Sequence, residues 1–184
     1  MYKLFFKLAY SVIILIRIFI FPLFLTQPLL AWLITFVLDA FDYSFALRSG
    51  ARYITYQMID KVLDLLFVFY MVLAVWYTNY QLLWLFVAYF VLRIIGSIFF
   101  EVTKNSKYLI YYPNLLEFFF PLYIISQTVF ANDTTFITIS FVVAYFAKMV
   151  QEEVAHNRYY LDPVSLAYIK KHPEHQRDIS RYIK

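Results

Sequence analysis

The chain contains no cysteine, so disulfide bonds, thiolate metal ligands and thiol catalysis are all excluded. Its only glycines are Gly50 and Gly96. Helix pairing through GxxxG is therefore absent, and close contacts fall to Ala, Ser and Thr. Charge is scarce as well. Asp, Glu, Lys and Arg make up 15% of the residues, against 63% hydrophobic and 23% aromatic. With a mean hydropathy of +0.66, that composition excludes an ordinary soluble domain and points to a polytopic membrane protein. The formal net charge of +4 comes from basic residues between apolar runs and at the ends. In a membrane protein such a surplus reports orientation and not nucleic-acid binding.

The apolar runs predict an all-α integral membrane protein with six transmembrane helices, at about residues 1–25, 29–45, 53–77, 81–100, 108–130 and 135–150. Together they form one transmembrane domain over residues 1–155, followed by a basic tail over 156–184. Lys3 and Lys7 precede the first apolar run as in a signal peptide, but Arg17 interrupts it and no small-residue cleavage site follows, so it reads as a retained helix. Arg17 then lies inside the membrane, either snorkelling or paired with an acidic group or a phosphate. Pro113 and Pro121 predict a kink in the fifth helix.

Lys3, Lys7, Arg48, Arg52, Lys104, Lys107 and every basic residue after Lys148 fall on one side of this topology. The opposite turns carry no Lys or Arg, which puts both termini in the cytoplasm, or in the matrix or stroma of an organelle. Trp32, Trp76 and Trp84 fall at the other boundary, as an aromatic belt requires. In the tail, Asp162 and Pro163 mark a helix start. That helix either lies on the membrane surface, with Lys170 and Lys171 near anionic headgroups, or packs under the bundle. His172, Glu174 and His175 are a weak metal-binding signal.

The acidic residues carry the sharper signal. Of seven aspartates, four lie between Asp39 and Asp64 in DAFDYSFALRSGARYITYQMIDKVLD. Asp39 and Asp42 are i,i+3 on one helix, and Asp60 and Asp64 are i,i+4 on the next, so each pair shares a face. Four carboxylates in a low-dielectric site cannot all stay ionised without a cation. Hard divalent ions prefer carboxylate oxygens, so Mg²⁺ or Mn²⁺ is the natural partner. Helix capping, or ion pairs to Arg48, Arg52 and Lys61, is the plainer use for one or two of them.

The same stretch resembles the signature of the CDP-alcohol phosphatidyltransferases, D-x2-D-G-x2-A-R-x8-G-x3-D-x3-D. Asp39, Asp42, Asp60 and Asp64 fall on its four aspartates and Ala46 on its alanine. Tyr43 replaces its first glycine, Leu47 its arginine with Arg48 one place later, and Tyr56 its second glycine. The resemblance implies that family's six-helix fold, with Asp39, Asp42, Asp60 and Asp64 at the metal and Asp64 as the base. In the family a CDP-linked donor lies along the motif and the metal bridges its diphosphate. The last aspartate deprotonates an alcohol acceptor, which attacks the phosphate and releases CMP.

Ala46 and Arg48 are then donor-side residues. Arg93 and Glu117, expected inside the membrane, line the acceptor side or form a structural ion pair, with Lys104 and Lys107 attracting phosphate at the rim. The two motif glycines allow the nucleotide to approach bare backbone. Tyr43 and Tyr56 would place rings in that space. Two functions follow as expectations: a divergent transferase of phospholipid synthesis, or a non-catalytic relative serving as a structural subunit of a membrane assembly. The expected partners are membrane lipids, a CDP-linked lipid, and a second copy or the other subunits of such an assembly.

Overall fold

The computed structural model describes residues 2–51, 53–78, 81–103, 111–130 and 133–157. Arg52, Lys104, Lys107 and the whole tail beyond Asn157, with Asp162, His172, Glu174 and His175, lie outside them. No strand occurs among the described residues. The helices are α1 (Tyr2–Phe19), α2 (Phe21–Thr26), α3 (Pro28–Ser49), α4 (Tyr53–Thr78), α5 (Leu83–Thr103), α6 (Leu116–Val129) and α7 (Thr134–Asn157). Three segments are long and apolar enough to cross a membrane: α3, α5 and Thr134–Gln151 of α7. The chain thus has the make-up of an all-α integral membrane protein.

Boundaries follow local chemistry. The predicted first span divides in two, because Pro22 at the start of α2 cannot continue the helix above it. Pro28 opens α3, where its missing N–H removes nothing. That helix runs past the predicted end near residue 45. It stops at Gly50, whose φ of 84° is left-handed. The N–H of Gly50 donates to Leu47 O and that of Ala51 to Ala46 O, both at 3.1 Å, which closes a Schellman cap. The predicted fifth helix is interrupted after Tyr111. Residues 112–115 form a turn carrying Pro113, and α6 begins only at Leu116. Asp133 caps α7, its Oδ1 accepting from the N–H of Thr135 at 2.7 Å and of Phe136 at 3.2 Å.

Two prolines leave carbonyls without their helical donors, and a neighbouring helix supplies each. Pro22 has no N–H for Ile18 O, and the Tyr70 hydroxyl of α4 donates to it at 2.8 Å. Pro121, inside α6, has none for Glu117 O, and the Trp32 indole of α3 donates to it at 2.7 Å. In hydrocarbon an unsatisfied carbonyl costs several kcal/mol, so these side chains make the breaks tolerable. Trp32 is therefore not a free belt residue: its N–H points into the protein. Trp76 and Trp84 remain outward, 52% and 80% exposed.

The core is aromatic. Phe24, Phe86, Phe119, Phe120 and Tyr123 are fully buried around Met71, drawn from α2, α4, α5 and α6. The outer faces of α1 (Leu4, Leu8, Val12, Leu15, Phe19) and α7 (Ile139, Val142, Val143, Phe146, Val150) are apolar and exposed, as a lipid-facing stripe is. Pairing of α1 with α3, α4 with α5 and α6 with α7 dominates the packing. The first two pairs bring the charged residues together.

Candidate functional site

The four aspartates of α3 and α4 converge, and Arg17 of α1 sits at their centre. Its side chain is 1% exposed. Nη1 lies 2.5 Å from Asp42 Oδ2 and 4.0 Å from Asp60 Oδ1, while Nη2 lies 2.7 Å from Asp39 Oδ1 and 3.6 Å from Asp64 Oδ1. Of the two readings of Arg17, the geometry gives the partner of the aspartates. A guanidinium suits this position because it is planar, always charged and more weakly hydrated than an ammonium.

Three of the carboxylates have a further partner at their second oxygen. Asp42 Oδ1 accepts from the Tyr56 hydroxyl at 2.9 Å. Asp60 Oδ2 accepts from Lys61 Nζ at 2.9 Å. Asp64 Oδ2 accepts from Arg93 Nη2 at 2.7 Å and lies 3.5 Å from Lys61 Nζ. Asp39 alone is partly open, with a third of its side chain exposed. Four carboxylates thus face three cations, Arg17, Lys61 and Arg93, leaving one negative charge among the described residues. Burying four unpaired carboxylates would cost several kcal/mol per ion, and the three cations offset that cost inside the fold.

Oxygens of Asp39, Asp42 and Asp60 lie within 4.8 Å of one another, a spacing that can hold a metal. The donor set is therefore right in chemistry. The position is not open, because the Arg17 guanidinium bonds two of the same carboxylates and approaches the third. The residues as arranged do not fit a resident Mg²⁺ or Mn²⁺ ion.

The nucleotide half of the motif is filled as well. Tyr43 and Tyr56 pack with ring centroids 4.9 Å apart. Both are buried beside Tyr10, Ala46 and Leu47 in a small cluster between α1, α3 and α4. Ala46, expected at the donor, has no exposed surface. Arg48 is not drawn into the carboxylate group, and its guanidinium carbon stands 5.4 Å above the Phe6 ring centroid.

Arg93 and Glu117 are both buried, yet not paired with each other as the structural alternative expected. Arg93 bonds Asp64, and its Nη1 donates to Tyr112 O at 3.3 Å. Glu117 takes Lys148 of α7, with Nζ 2.6 Å from Oε2, and the same ammonium donates to Gln151 Oε1 at 2.7 Å. Sequence reasoning missed Lys148, which lies inside the predicted sixth span and was given no partner there. Its position three residues before Gln151, on a helix otherwise apolar from Phe141, was the available signal. The phenol of Tyr56 as a donor to Asp42 was also missed, since the motif marked that position only as a lost glycine.

No protein-family model, curated protein or solved structure matches the chain.

Proposed function

We propose that the chain is a non-catalytic relative of the CDP-alcohol phosphatidyltransferases that serves as a structural element of a membrane assembly. One observation carries this reading: the carboxylates that a transferase would offer to metal and substrate are engaged by the chain's own Arg17, Lys61, Arg93 and Tyr56. Catalysis of the family's kind needs a metal to neutralise phosphoryl charge and a free base. Here Asp64 shares its oxygens with two guanidinium groups and an ammonium. The buried Tyr43 and Tyr56 rings stand where the resemblance puts the nucleotide, which supports the same conclusion.

On this reading the bundle crosses the bilayer six times, α1 and α2 counting as one broken span. Both termini lie on the Lys- and Arg-rich side, in the cytoplasm, matrix or stroma. The contact of Arg48 with Phe6 supports this, since it brings the last turn of α3 level with the first turns of α1 near Lys3 and Lys7.

The test is turnover. Purified full-length chain incubated with CDP-diacylglycerol, Mn²⁺ and a panel of alcohols is expected to release no CMP above the Asp64→Asn variant. CMP release that disappears in Asp64→Asn would return the chain to the active transferases.

A further inference from the structure

Arg17 is the one cation of the cluster contributed by α1, and it reaches all four aspartates. We infer that its guanidinium is the permanent counter-ion of the site, in the position a divalent cation takes by resemblance, and that guanidinium and metal exclude one another. This deepens the proposed function and rests on it, since a chain that works with bound metal would have to displace Arg17.

Geometry and charge both carry the inference. Opposite oxygens around a divalent ion stand about 4.2 Å apart for Mg²⁺ and about 4.6–5.2 Å for Ca²⁺, from the usual metal–oxygen distances. The oxygens of Asp39, Asp42 and Asp60 lie within 4.8 Å of one another. That spread lies in the Ca²⁺ range and a few tenths of an ångström beyond the Mg²⁺ one, so the carboxylates would close slightly on a smaller ion, and what fills the space is Arg17. The charge balance points the same way. With Arg17 removed, four carboxylates face Lys61 and Arg93 alone, a formal excess of two negative charges, which protons or one divalent cation can cancel. A second, independent feature sets the position apart from an ordinary surface acidic cluster: Arg17 Nε and Nη2 are buried without a hydrogen bond of regular geometry in a side chain 1% exposed, Nη2 meeting Asp39 Oδ1 only as an ion pair. The guanidinium is thus held by one hydrogen bond, from Nη1 to Asp42, and by ion pairs to the other aspartates, and not by a fork matched to its full donor set.

The experiment uses the full chain in nanodiscs and reads Mn²⁺ binding by loss of the free-ion electron paramagnetic resonance signal, with thermal unfolding alongside. The native chain should bind no Mn²⁺, and its Tm should not respond to the ion. Arg17→Ala should melt lower without metal and take up one Mn²⁺ per chain. At about a hundredfold its Kd, Mn²⁺ should raise that variant's Tm by about 5–10 °C. Arg17→Lys, which retains the charge, should behave as the native chain, and Arg17→Ala with Asp42→Asn should lose the Mn²⁺ response. If Arg17→Ala does not fold without metal, recovery on refolding in Mn²⁺ but not in K⁺ supports the exchange, and failure in both overturns it. Stoichiometric Mn²⁺ binding by the native chain, or none by folded Arg17→Ala, also overturns it. CMP release is scored separately, so the failure of catalytic silence and the failure of this exchange are read on different signals.

Discussion

Trp32→Phe tests whether the helix breaks are held by donors from neighbouring helices. Pro121 removes the N–H that Glu117 O would have used, and the Trp32 indole supplies it at 2.7 Å. Taking one partner from a buried acceptor costs about 1–3 kcal/mol in soluble proteins. Polar contacts between membrane helices average about 0.6 and reach about 1.7 kcal/mol in double-mutant cycles, because the unfolded helices also find partners in the bilayer. The lower range is the relevant one here.

Trp32→Phe also loses ring area against Phe36, whose ring stacks on it at 5.2 Å, so the single variant mixes two effects. The cycle separates them. In a Pro121→Ala background Glu117 O regains its own backbone donor, and Trp32→Phe then costs only the packing. The expected coupling is about 0.6–1.7 kcal/mol. The assay is SDS-driven unfolding of the full chain in mixed micelles, followed by far-ultraviolet circular dichroism. An equal cost of Trp32→Phe in both backgrounds would refute the reasoning.

Gly96→Ala should loosen the turn before α6. A Cβ there would fall on the Tyr112 Cβ, and overpacking of this kind costs about 1–3 kcal/mol. The variant should also weaken the Arg93–Tyr112 bond, read as faster proteolysis within the turn. Lys148→Met leaves Glu117 buried without its ammonium and should cost about 3–5 kcal/mol, whereas Lys148→Met with Glu117→Met should recover most of that stability. A double variant as unstable as the single one would mean that the pair is not what joins α6 to α7.

How much was legible in the sequence depended on whether a local rule decided the matter. The convergence of Asp39, Asp42, Asp60 and Asp64 could be read, because i,i+3 and i,i+4 spacings fix a face and the loop between the helices is short. The all-helical, membrane-type architecture could be read from composition. The division of the first span at Pro22 could not, because proline is compatible with a kinked continuous helix when a neighbour satisfies the freed carbonyl. Tyr70, which does so, lies 52 residues away. The late start of α6 had the same origin in Pro113. The partners of the buried charges were also beyond reach. Arg93 and Glu117, each the one charge within its predicted span, were expected to line the acceptor side or to pair with each other, but their partners are Asp64 and Lys148. Arg17 was seen as a cation in need of a partner, and only the packing of α1 on α3 and α4 puts it between the carboxylates.

These polar contacts also answer what holds the helices in register without glycine-mediated packing. Burying apolar surface does not distinguish a neighbouring helix from a lipid tail, so pairing in a bilayer relies on close packing and on polar contacts between helices. With Gly96 given to the Tyr112 contact and Gly50 to the end of α3, this chain has no glycine left for a helix–helix seam. Polar bonds join its helices in sequence instead. Arg17 ties α1 to α3 and α4, and Tyr70 ties α4 back to α1. Arg93 ties α5 to α4, Trp32 ties α3 to α6, and Lys148 ties α7 to α6. Each bond is between side chain and side chain or between side chain and an orphaned carbonyl, so each fixes register to within one residue, as a smooth apolar face does not. The charge cluster therefore has a structural use of its own, and α1 has a specific reason to dock where it does.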